Sequence, residues 1–518
     1  MNTQQTSNFL ISLMDLDCYS FTLLVSLFVL LITLLRAATQ SRTDVKCPPG
    51  PRKLPLIGNL HLFASFRPPH HTLRDLASKY GPVMHLKLGE VDAVVVSSAE
   101  AAKQVLKTHD ANFAYRPSLL VTEILCYGNT NIAFAPYGDY WRQLRKICTL
   151  ELLSVKRVQS FRHIREGEFL NLCRWIASQT GALINLTERI NLSTSDVVTQ
   201  ATLGKKTEEQ AAFISVIKEA TELAAGFHIG DVYPSIKLFS RVSGMKGRVE
   251  RLHKESDRIL ENIINDHRAT NAATNNNESK NHQDLIDVLL KFHDSGDELH
   301  LTIDNLKSVL QDMFSAGSET SSTTIDWAMA EMLKHPRILK KAQDEVRQVF
   351  NKKGCVDEDY IHELKYLKCV IKECLRMHPP IPLLLPRECH EGCAIDGYEI
   401  PARTRVMVNA WALGRDPRYW KEAESFKPER YLEINSADYK GSNFEYIPFG
   451  GGRRICPGMS FGLANVELPL AMLLYHFNWI LPQGMKPERV DMMETFGVTA
   501  RRKNPLYVIP VFRTPLPE

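Results

Sequence analysis

The stretch PFGGGRRICPG at residues 448–458 runs directly into an apolar helical pattern at residues 459–474. A glycine-rich turn therefore presents one cysteine, Cys456, just before the N-terminus of a helix. The helix dipole and the nearby Arg453 and Arg454 favour negative charge there, and a glycine-rich loop offers unpaired backbone N–H groups to the sulfur. The sequence therefore predicts that Cys456 forms a thiolate unusually easily.

The residues of this cysteine loop leave four interpretations open: a buried structural thiol, a redox-sensing cysteine, a phosphate-binding loop, or an axial ligand to iron. The phosphate interpretation lacks the Gly-Lys-Ser/Thr ending of a P-loop. A secreted disulfide scaffold is disfavoured, because the 11 cysteines of the chain are odd in number, sparse and without a C-x-x-C pair. The loop alone thus predicts a special cysteine without naming its partner.

A second unusual feature is a helical pattern from about Asp304 to His335, which is long compared with ordinary helices and ends at Pro336. In its middle, Gly317 removes a side chain and lets a flat group approach the backbone. Thr320 can turn its hydroxyl to the carbonyl one turn back and loosen the helix locally. Taken by itself, the segment is also explained as a Gly/Ser kink without any chemistry.

The cysteine loop resembles the haem loop of the cytochrome P450 family, whose pattern is F-x-x-G-x-R-x-C-x-G. The resemblance extends from the apolar N-terminal stretch at residues 19–35 and the proline-rich residues 48–51 to about residue 512, and it is strongest to plant enzymes of the endoplasmic reticulum that oxidise terpenoids and alkaloids. Every specified position of the pattern is matched, by Phe449, Gly452, Arg454, Cys456 and Gly458.

Four further segments match signatures of the same family in the family's order. The only departure is Tyr431, where the family usually has phenylalanine. A kink without chemistry would leave the other motifs as coincidences. The family resemblance is therefore the better explanation of the long helix. The matching residues are Trp141 and Arg145 (W-x-x-x-R), residues 316–320 (A/G-G-x-D/E-T), Glu373 and Arg376 (E-x-x-R), and residues 428–431 (P-E-R).

The resemblance implies that the protein binds haem b with Cys456 as the axial ligand of the iron, an arrangement that favours O–O cleavage. Phe449 would pack beside the haem near the sulfur, and Ala316 and Gly317 would form the oxygen-binding groove. The haem carboxylates need cationic partners. By family position these partners are Arg145, Arg387 and Arg454, with Trp141 donating its indole N–H.

Two residues of the long helix would be catalytic. Glu319 and Thr320 would lie above the iron and hold a water chain that delivers protons for oxygen activation; the alternative is that Thr320 only stabilises a kink. Glu373, Arg376 and Arg430 would form a buried charge cluster that positions the cysteine loop, since a buried ion pair is costly unless its geometry is needed.

The N-terminus predicts a membrane anchor. Residues 19–35 carry no charge and just reach across a hydrocarbon core. Basic residues follow this stretch and do not precede it, so the positive-inside rule places the rest of the chain in the cytoplasm. A cleaved signal peptide is the alternative, but its apolar part is normally shorter and preceded by positive charge. The expected organisation is a short lumenal segment (1–18), a transmembrane anchor (19–35), a basic, proline-rich linker (36–51) and one haem-thiolate monooxygenase domain (52–518).

The composition predicts a globular protein that does not bind nucleic acid. Hydrophobic residues make up 44% of the chain and charged residues 24%, and a net charge of +4 over 518 residues is too small for nucleic acid as the main partner. We predict one large, mainly α domain with a small β portion. Helical patterns at residues 249–267 and 284–292 flank a low-complexity loop at 269–281. The predicted strands are residues 83–88 and 93–97, which form a hairpin, and residues 398–400 and 404–409, which form a second β unit.

The predicted substrate is bulky and weakly polar. Aliphatic residues such as Ile381, Leu384 and Val498 dominate the predicted pocket, and a pocket of this kind holds its substrate mainly by shape. Electrons must come from a partner, because no dinucleotide-binding G-x-G-x-x-G motif opens a helix. The resemblance implies NADPH–cytochrome P450 reductase, docking on the cysteine side. By family topology the pocket walls are residues 113–133, 213–239, 309–320, 381–385 and 495–499.

The sequence thus predicts a single-pass protein of the endoplasmic reticulum membrane with a cytosolic catalytic domain. This domain would use O₂ and electrons from NADPH to hydroxylate or oxidise a hydrophobic plant specialised metabolite, a terpenoid above all. The alternatives are an alkaloid or phenolic substrate, a haem-thiolate isomerase or dehydratase that acts on a peroxide, and a haem sensor. The pair Glu319-Thr320 argues against the isomerase, which needs no proton relay.

Three Asn-x-Ser/Thr sequons test the predicted orientation, at Asn185, Asn191 and Asn277. All three follow the predicted anchor, so in a protein with a cytosolic body they should carry no glycan. We expect peptide-N-glycosidase to leave the electrophoretic mobility of the microsomal protein unchanged, while a resident lumenal glycoprotein of the same microsomes shifts. A loss of apparent mass on treatment would place the body in the lumen.

Overall fold

The computed structural model describes most of the chain. Almost all of the predicted anchor at residues 19–35 lies outside the described residues. Among the residues that are described, no helix combines the length and the apolar character needed to span a bilayer. The described residues are 23, 26, 27, 46–64, 67–206, 209–224, 228–236, 244–273, 284–294, 301–432, 437–495 and 497–517.

Helices make up most of the described chain, which confirms the predicted mainly α class. In chain order they are α1 (Pro69–Tyr80), α2 (Ala99–Lys103), α3 (Leu120–Leu125), α4 (Asp139–Ile147), α5 (Val155–Ser160), α6 (Arg162–Ser178), α7 (Leu186–Leu203), α8 (Gln210–Ala224), α9 (Ile229–Val232), α10 (Met245–Ala273), α11 (Leu285–Asp294), α12 (Ile303–Lys334), α13 (Pro336–Phe350), α14 (Lys365–Met377), α15 (Ala410–Leu413) and α16 (Met459–His476).

Strands form a small β portion. They are β1 (Val83–Leu88), β2 (Val91–Val96), β3 (Ile184–Asn185), β4 (Arg387–Glu388), β5 (Cys393–Ile395), β6 (Tyr398–Ile400), β7 (Arg405–Val408), β8 (Phe477–Ile480) and β9 (Tyr507–Phe512). In the described residues they form a four-stranded sheet of order β1-β2-β7-β4, a three-stranded sheet of order β3-β9-β8 and the pair β5-β6.

The long helix α12 is confirmed almost to the residue. Its 32 residues span about 48 Å at 1.5 Å per residue, enough to cross the domain. Thr302 and Asn305 form a reciprocal capping box at its start, and Pro336, the first residue of α13, follows its end. The helix packs along α7 on one side and against α16 on another. It therefore carries its central residues to the start of α16, directly after the cysteine loop.

The predicted hairpin is confirmed, and both strands predicted for the second β unit form, at Tyr398–Ile400 and Arg405–Val408, but they do not pair with each other. Strands β1 and β2 pair antiparallel, with Val83 opposite Val96. Strand β6 pairs with β5 and not with β7, and β7 runs parallel to β2 with Val406 opposite Val94. Strand β7 is buried over most of its length. Burial against the hairpin, far away in the sequence, decides this pairing, and local alternation of side chains does not report it.

The predicted low-complexity loop begins later than expected. Helix α10 continues to Ala273, so the first residues of the predicted loop at 269–281 are helical. The rest of that segment belongs to residues 274–283, which lie outside the described part. Helix α11 begins at Leu285, within one residue of its predicted start.

Candidate active site

The cysteine loop is a tight turn, and position 452 within it accepts only glycine. The backbone N–H of Cys456 donates to the carbonyl of Phe449 at 2.9 Å and closes the loop. Gly452 has φ +67°, and a Cβ there would lie 2.0 Å from the carbonyl oxygen of Leu106 and 2.7 Å from Oδ1 of Asp110. The loop is therefore pressed against the segment that ends at Asp110, and a side chain at position 452 would push the two apart.

The expectation that Cys456 ionises easily by itself is wrong. Burial raises the pKa of the Cys456 thiol, and the backbone N–H of Gly458 and the charge of Arg145 oppose this shift without cancelling it. The favourable position before α16 therefore does not compensate for the loss of water around the sulfur. A metal ion removes this difficulty, because a coordinating thiol is deprotonated by the charge of the metal.

A cavity of about 260 Å³ lies over the sulfur, between the cysteine loop, α4 and the middle of α12. We call it the inner cavity. It brings together the predicted haem-binding residues, although they come from segments spread over more than half of the chain. Those that line it are Trp141, Arg145, Ala316, Gly317, Thr320, Arg387, Phe449, Arg454 and Cys456.

Gly317 lines the inner cavity and also allows α12 to pack closely against its neighbours. A Cβ at this position would lie 3.2 Å from Cγ2 of Val198 and 3.6 Å from Cε1 of Phe461. The missing side chain thus lets α12 approach α7 and α16 closely. This is an additional reason for glycine that the motif did not indicate.

Positive charge is concentrated at one rim of the inner cavity. Arg454 donates from Nε to the carbonyl of Ala114 at 2.8 Å and from Nη2 to that of Ala135 at 2.5 Å. Arg387 donates from Nη2 to the carbonyl of Gly451 at 2.9 Å. These bonds aim both guanidinium groups but leave their charge uncompensated, since backbone carbonyls are neutral.

Carboxylates balance this charge only in part. Asp110 lies 3.5 Å from Nη1 of Arg387 and 3.0 Å from Nη1 of Arg453, and Asp312, which also lines the cavity, accepts hydrogen bonds from Asn131 and Ala133 instead. Arg145 makes no hydrogen bond or ion pair with any described residue. Burial, assisted by neighbouring guanidinium groups, lowers the pKa of Arg454 to about 9. The donors therefore fit a bound group that carries carboxylates, as haem does.

Arg116 belongs to the same rim, and the sequence reasoning missed it. Its Nε donates to the carbonyl of Ala133 at 2.9 Å, and its Nη1 donates to the carbonyls of Leu385 and Pro386 at 2.8 and 2.7 Å. Burial lowers its pKa, and the charges of Arg454 and Arg387 lower it further. Arg116 lies within the predicted pocket wall at residues 113–133, but no family motif marks it as a partner of the haem carboxylates, and only the fold shows that role.

The indole N–H of Trp141 already has a hydrogen-bond partner in the protein. Its indole N–H donates to the carbonyl of Ile132 at 3.0 Å, and the guanidinium carbon of Arg454 lies 4.2 Å from the centre of its ring. The expected donation to a haem carboxylate would require this hydrogen bond to be exchanged. Phe449 lines the cavity and packs edge-on against Tyr439, with ring centres 5.5 Å apart.

The middle of α12 presents an acid and a hydroxyl side by side. The Thr320 hydroxyl donates to the carbonyl of Ala316 at 2.6 Å, which is the diversion predicted from the sequence. Its oxygen can then still accept a hydrogen bond from the cavity. Glu319 Oε1 lies 3.3 Å from Nε of Arg501. Burial raises the pKa of Glu319 and Arg501 opposes it, so this acid holds its proton more readily than an exposed glutamate.

A second cavity of about 330 Å³, the outer cavity, adjoins the inner one. Each predicted pocket wall contributes lining residues to it, among them Leu125, Ile217, Leu383 and Val498. Asp312 lies at the boundary of the two cavities, and burial raises its pKa to about 6. The cavities share Asp312, Ala316, Thr320, Ile381, Leu384 and Leu385.

Glu373, Arg376 and Arg430 form the predicted charge cluster, which lines neither cavity. Glu373 accepts from Nε and Nη2 of Arg376 at 2.8 Å each and from Nε of Arg430 at 3.0 Å. Arg376 also donates to the carbonyls of Gly414 and Ala423. The cluster thus fastens α14 to the segment at residues 414–430.

Comparison with known proteins gives a consistent family match. The family model described as Cytochrome P450 matches residues 48–508. Salviol synthase of Salvia pomifera is 54% identical over 506 residues, covering 97% of this chain and 100% of that protein. Desmethyl-deoxy-podophyllotoxin synthase of Sinopodophyllum hexandrum is 55% identical over 485 residues, covering 93% and 95%. Premnaspirodiene oxygenase of Hyoscyamus muticus is 54% identical over 494 residues, covering 94% and 98%.

Solved structures show the same fold at much lower identity. A zebra fish cytochrome P450, in a structure with progesterone, superposes with a TM-score of 0.74 at 24% identity. The match covers 86% of this chain and 100% of that chain. At this identity the likeness concerns the fold alone, which is mainly helical with a small β portion.

The charge cluster should dominate the stability of this region. Replacing Arg376 by methionine leaves Glu373 buried without its main partner, and breaking such a pair costs about 3–5 kcal/mol. We expect urea unfolding, followed by tryptophan fluorescence, to show a loss of that size. The matched control is Lys340→Met, which removes an exposed ion pair with Asp344 and should cost at most about 1 kcal/mol. Equal small losses in both variants would contradict the structural role of the cluster.

Proposed function

This chain belongs to the cytochrome P450 family, and on that premise we propose that it oxidises a terpenoid at the endoplasmic reticulum membrane with electrons from NADPH–cytochrome P450 reductase. It is a haem-thiolate monooxygenase whose cofactor is haem b. The observation that carries the proposal is the half-buried cysteine under a cavity with four inward arginines and too few carboxylates. This surplus of positive charge suits an anionic, sulfur-ligated cofactor better than a structural thiol.

The residues around the inner cavity would divide the binding of haem among them. Cys456 would be the axial ligand, and Arg145, Arg387 and Arg454 would hold the carboxylate groups, as would Arg116. Haem bound through a thiolate supplies the activation of O₂ that the reaction requires. Backbone carbonyls already orient the guanidinium groups of Arg116, Arg387 and Arg454. These side chains therefore lose little conformational freedom when the cofactor binds.

Glu319 and Thr320 would supply protons. Glu319 faces the outer cavity and Thr320 faces both cavities, so a proton can pass from the acid through water toward the hydroxyl. The raised pKa of Glu319 keeps a proton available, and the contact with Arg501 fixes the carboxylate in place. Because Thr320 donates to its own helix, its oxygen is free to orient the incoming water.

The outer cavity would hold the substrate. Its walls are mainly apolar, with polar side chains interspersed, which suits a bulky, weakly polar skeleton held mainly by shape. Salviol synthase and premnaspirodiene oxygenase, relatives named as terpenoid oxygenases, support a terpenoid. A different skeleton is the second candidate, because an equally similar relative is named for podophyllotoxin.

An exposed apolar surface supports contact with a membrane. Leu54, Leu56 and Ile57 are 38–41% exposed just after the proline-rich linker. The hydroxyl of Tyr233 donates to the carbonyl of Leu56 at 3.2 Å and brings the loop that holds Ile236, 37% exposed, beside them. Large side chains of this kind gain by entering a lipid interface. On the cysteine side, Arg453 is half exposed and would face the reductase.

Reductase-dependent turnover tests the proposal. Microsomes that contain this protein and the reductase should convert at least one member of a terpenoid and alkaloid panel, with NADPH, into a product heavier by one oxygen atom. The reduced protein with carbon monoxide should show the red-shifted Soret band of thiolate ligation, and Cys456→His should lose both band and product. Products formed without NADPH would indicate an isomerase. A normal band with no NADPH consumption on any substrate would indicate a sensor.

The proton role of Thr320 has its own test. In Thr320→Ala, product formed per NADPH should fall about tenfold while hydrogen peroxide release rises, because protons no longer arrive in step with the electrons. The matched control is Ser318→Ala, whose hydroxyl makes the same bond one turn back, to Phe314 at 2.7 Å, but lines neither cavity. If Thr320 only stabilised a kink, the two variants would behave alike.

A further inference from the structure

A short turn at residues 131–135, the rim loop, supplies backbone carbonyls that orient two of the cavity arginines. Arg454 donates to this loop twice, from Nη1 and from Nη2, and Arg116 donates to it once, from Nε. The conformation of the rim loop therefore decides where these guanidinium groups point. The accepting carbonyls are, in the same order, those of Ile132 at 3.2 Å, Ala135 at 2.5 Å and Ala133 at 2.9 Å.

Asp312 anchors the rim loop to α12. Its Oδ1 accepts from Nδ2 of Asn131 at 2.7 Å, and its Oδ2 accepts from the backbone N–H of Ala133 at 3.1 Å. The backbone N–H of Ile132 binds the same carboxylate. The loop belongs to no helix or strand, so its buried N–H groups depend on acceptors of this kind. A charged acceptor also forms stronger hydrogen bonds than a neutral one.

The rim loop in turn keeps Asp312 ionised. Burial raises the pKa of Asp312 to about 6, and the hydrogen bonds from the loop oppose this shift. No described Lys, Arg or His forms an ion pair with it. The titratable groups that interact with Asp312 are Cys126, Tyr140 and Cys148, and burial raises the pKa of each, so all three are neutral at pH 7. The carboxylate and the rim loop thus stabilise each other.

We propose that Asp312 is a positioning residue for haem, because it holds the rim loop in the conformation from which Arg116 and Arg454 reach the haem carboxylates. This inference rests on the proposed function, in which these two arginines bind the cofactor. Both oxygens of Asp312 accept from the rim loop, so we assign it no part in proton delivery. Thr320 lies eight residues later, about 12 Å along the same helix. One helix therefore positions both the cofactor and the residue that orients water.

Replacing Asp312 by asparagine keeps the size of the side chain but puts a donor where an acceptor is needed. The new amide N–H groups would face either Nδ2 of Asn131 or the backbone N–H of Ala133. Asn131 does not turn its amide around freely, because its Oδ1 accepts from the N–H of Phe134 at 3.0 Å. One donor is therefore left without an acceptor, which costs more than a solvent-exposed hydrogen bond.

Exchanging the two side chains, in the double variant Asn131→Asp with Asp312→Asn, restores the pattern. The carboxylate at position 131 accepts from Phe134 and from the amide at position 312. The oxygen of that amide accepts from the N–H of Ala133. The exchange gives up the contact of Asn131 Nδ2 with Sγ of Cys126 at 3.2 Å, but sulfur is a weak acceptor.

Asp326 provides the matched control. It is a second buried acid on α12, and burial raises its pKa as well. Its Oδ1 accepts from the hydroxyl of Thr187 at 2.7 Å, and its Oδ2 lies 3.9 Å from Nη1 of Arg502. It lines neither cavity. Asp326→Asn therefore removes a buried charge from the same helix without touching the rim loop.

Haem loss from the full-length holoprotein in detergent tests the proposal. Its rate is followed at pH 8 by transfer of haem to an excess of apomyoglobin, and the Raman bending band of the haem carboxylates reports on their hydrogen bonds. We expect Asp312→Asn to lose haem about tenfold faster and to shift this band, because the rim loop is loosened. Asp326→Asn should match the wild type in both measurements. The exchange variant should return to within about threefold of the wild-type rate.

The pH profile separates positioning from general destabilisation. Asp312 carries its charge above its raised pKa and loses it below, and haem moves the midpoint upward by covering the cavity wall further. The ratio of haem loss in Asp312→Asn to that in the wild type should therefore fall from about ten at pH 8 toward one at about pH 5. The contribution of this acid to the free energy of unfolding has the opposite sign. An acid whose pKa is raised in the folded state stabilises the fold as the pH falls.

Several outcomes would overturn the proposal. Wild-type haem loss in Asp312→Asn, equal acceleration in Asp326→Asn, or a ratio that does not change with pH would each do so. An exchange variant as defective as the single variant would do so too. If Asp312→Asn does not fold, we expect the exchange variant to recover a folded protein that binds haem, and its failure to do so would contradict the proposal. These results leave the proposed function intact, whereas a wild type without the carbon monoxide band would overturn that function itself.

Discussion

Uncompensated positive charge around a buried sulfur is the constraint on which the rest of the structure depends. Arg116, Arg145, Arg387 and Arg454 are turned toward one cavity, and backbone carbonyls orient three of them without neutralising them. Burial also raises the pKa of the Cys456 thiol, so the sulfur is not an easy thiolate by itself. Such an arrangement is unfavourable for a protein by itself and favourable around an anionic metalloporphyrin, so the cofactor completes the electrostatics of the core.

The long helix α12 brings a proton source to a site that excludes water. A helix interior normally hides its polar groups, but α12 sends the hydroxyl of Thr320 back to Ala316 and leaves its oxygen facing the cavity. Glu319, one residue earlier, is held by Arg501 from the C-terminal segment. The pair therefore depends on a contact between parts of the chain that are far apart.

Buried ion pairs hold in place irregular segments that do not pack through helix–helix contacts. Glu373 and Arg376 are fully buried, but they are paired with each other, and both also form hydrogen bonds with the segment at residues 414–430. Glu494 does the same for α1 and the C-terminal segment, because Nε2 of His70 and Nε2 of His71 lie 2.7 and 3.1 Å from its Oε2. In both places a desolvated charge has several partners at once, which is what makes its burial tolerable and its geometry specific.

The sequence by itself determined the features that depend on short, fixed spacing: the closed loop around Cys456, the pairing of Glu373 with Arg376, the bounds of α12 and the hairpin β1-β2. These follow from local geometry and from motifs read in order. The tertiary structure alone decided that β7 joins β2, that Arg116 enters the cationic rim and that burial raises the pKa of Cys456. Desolvation and long-range pairing depend on which distant segments cover a residue, and no local pattern records that.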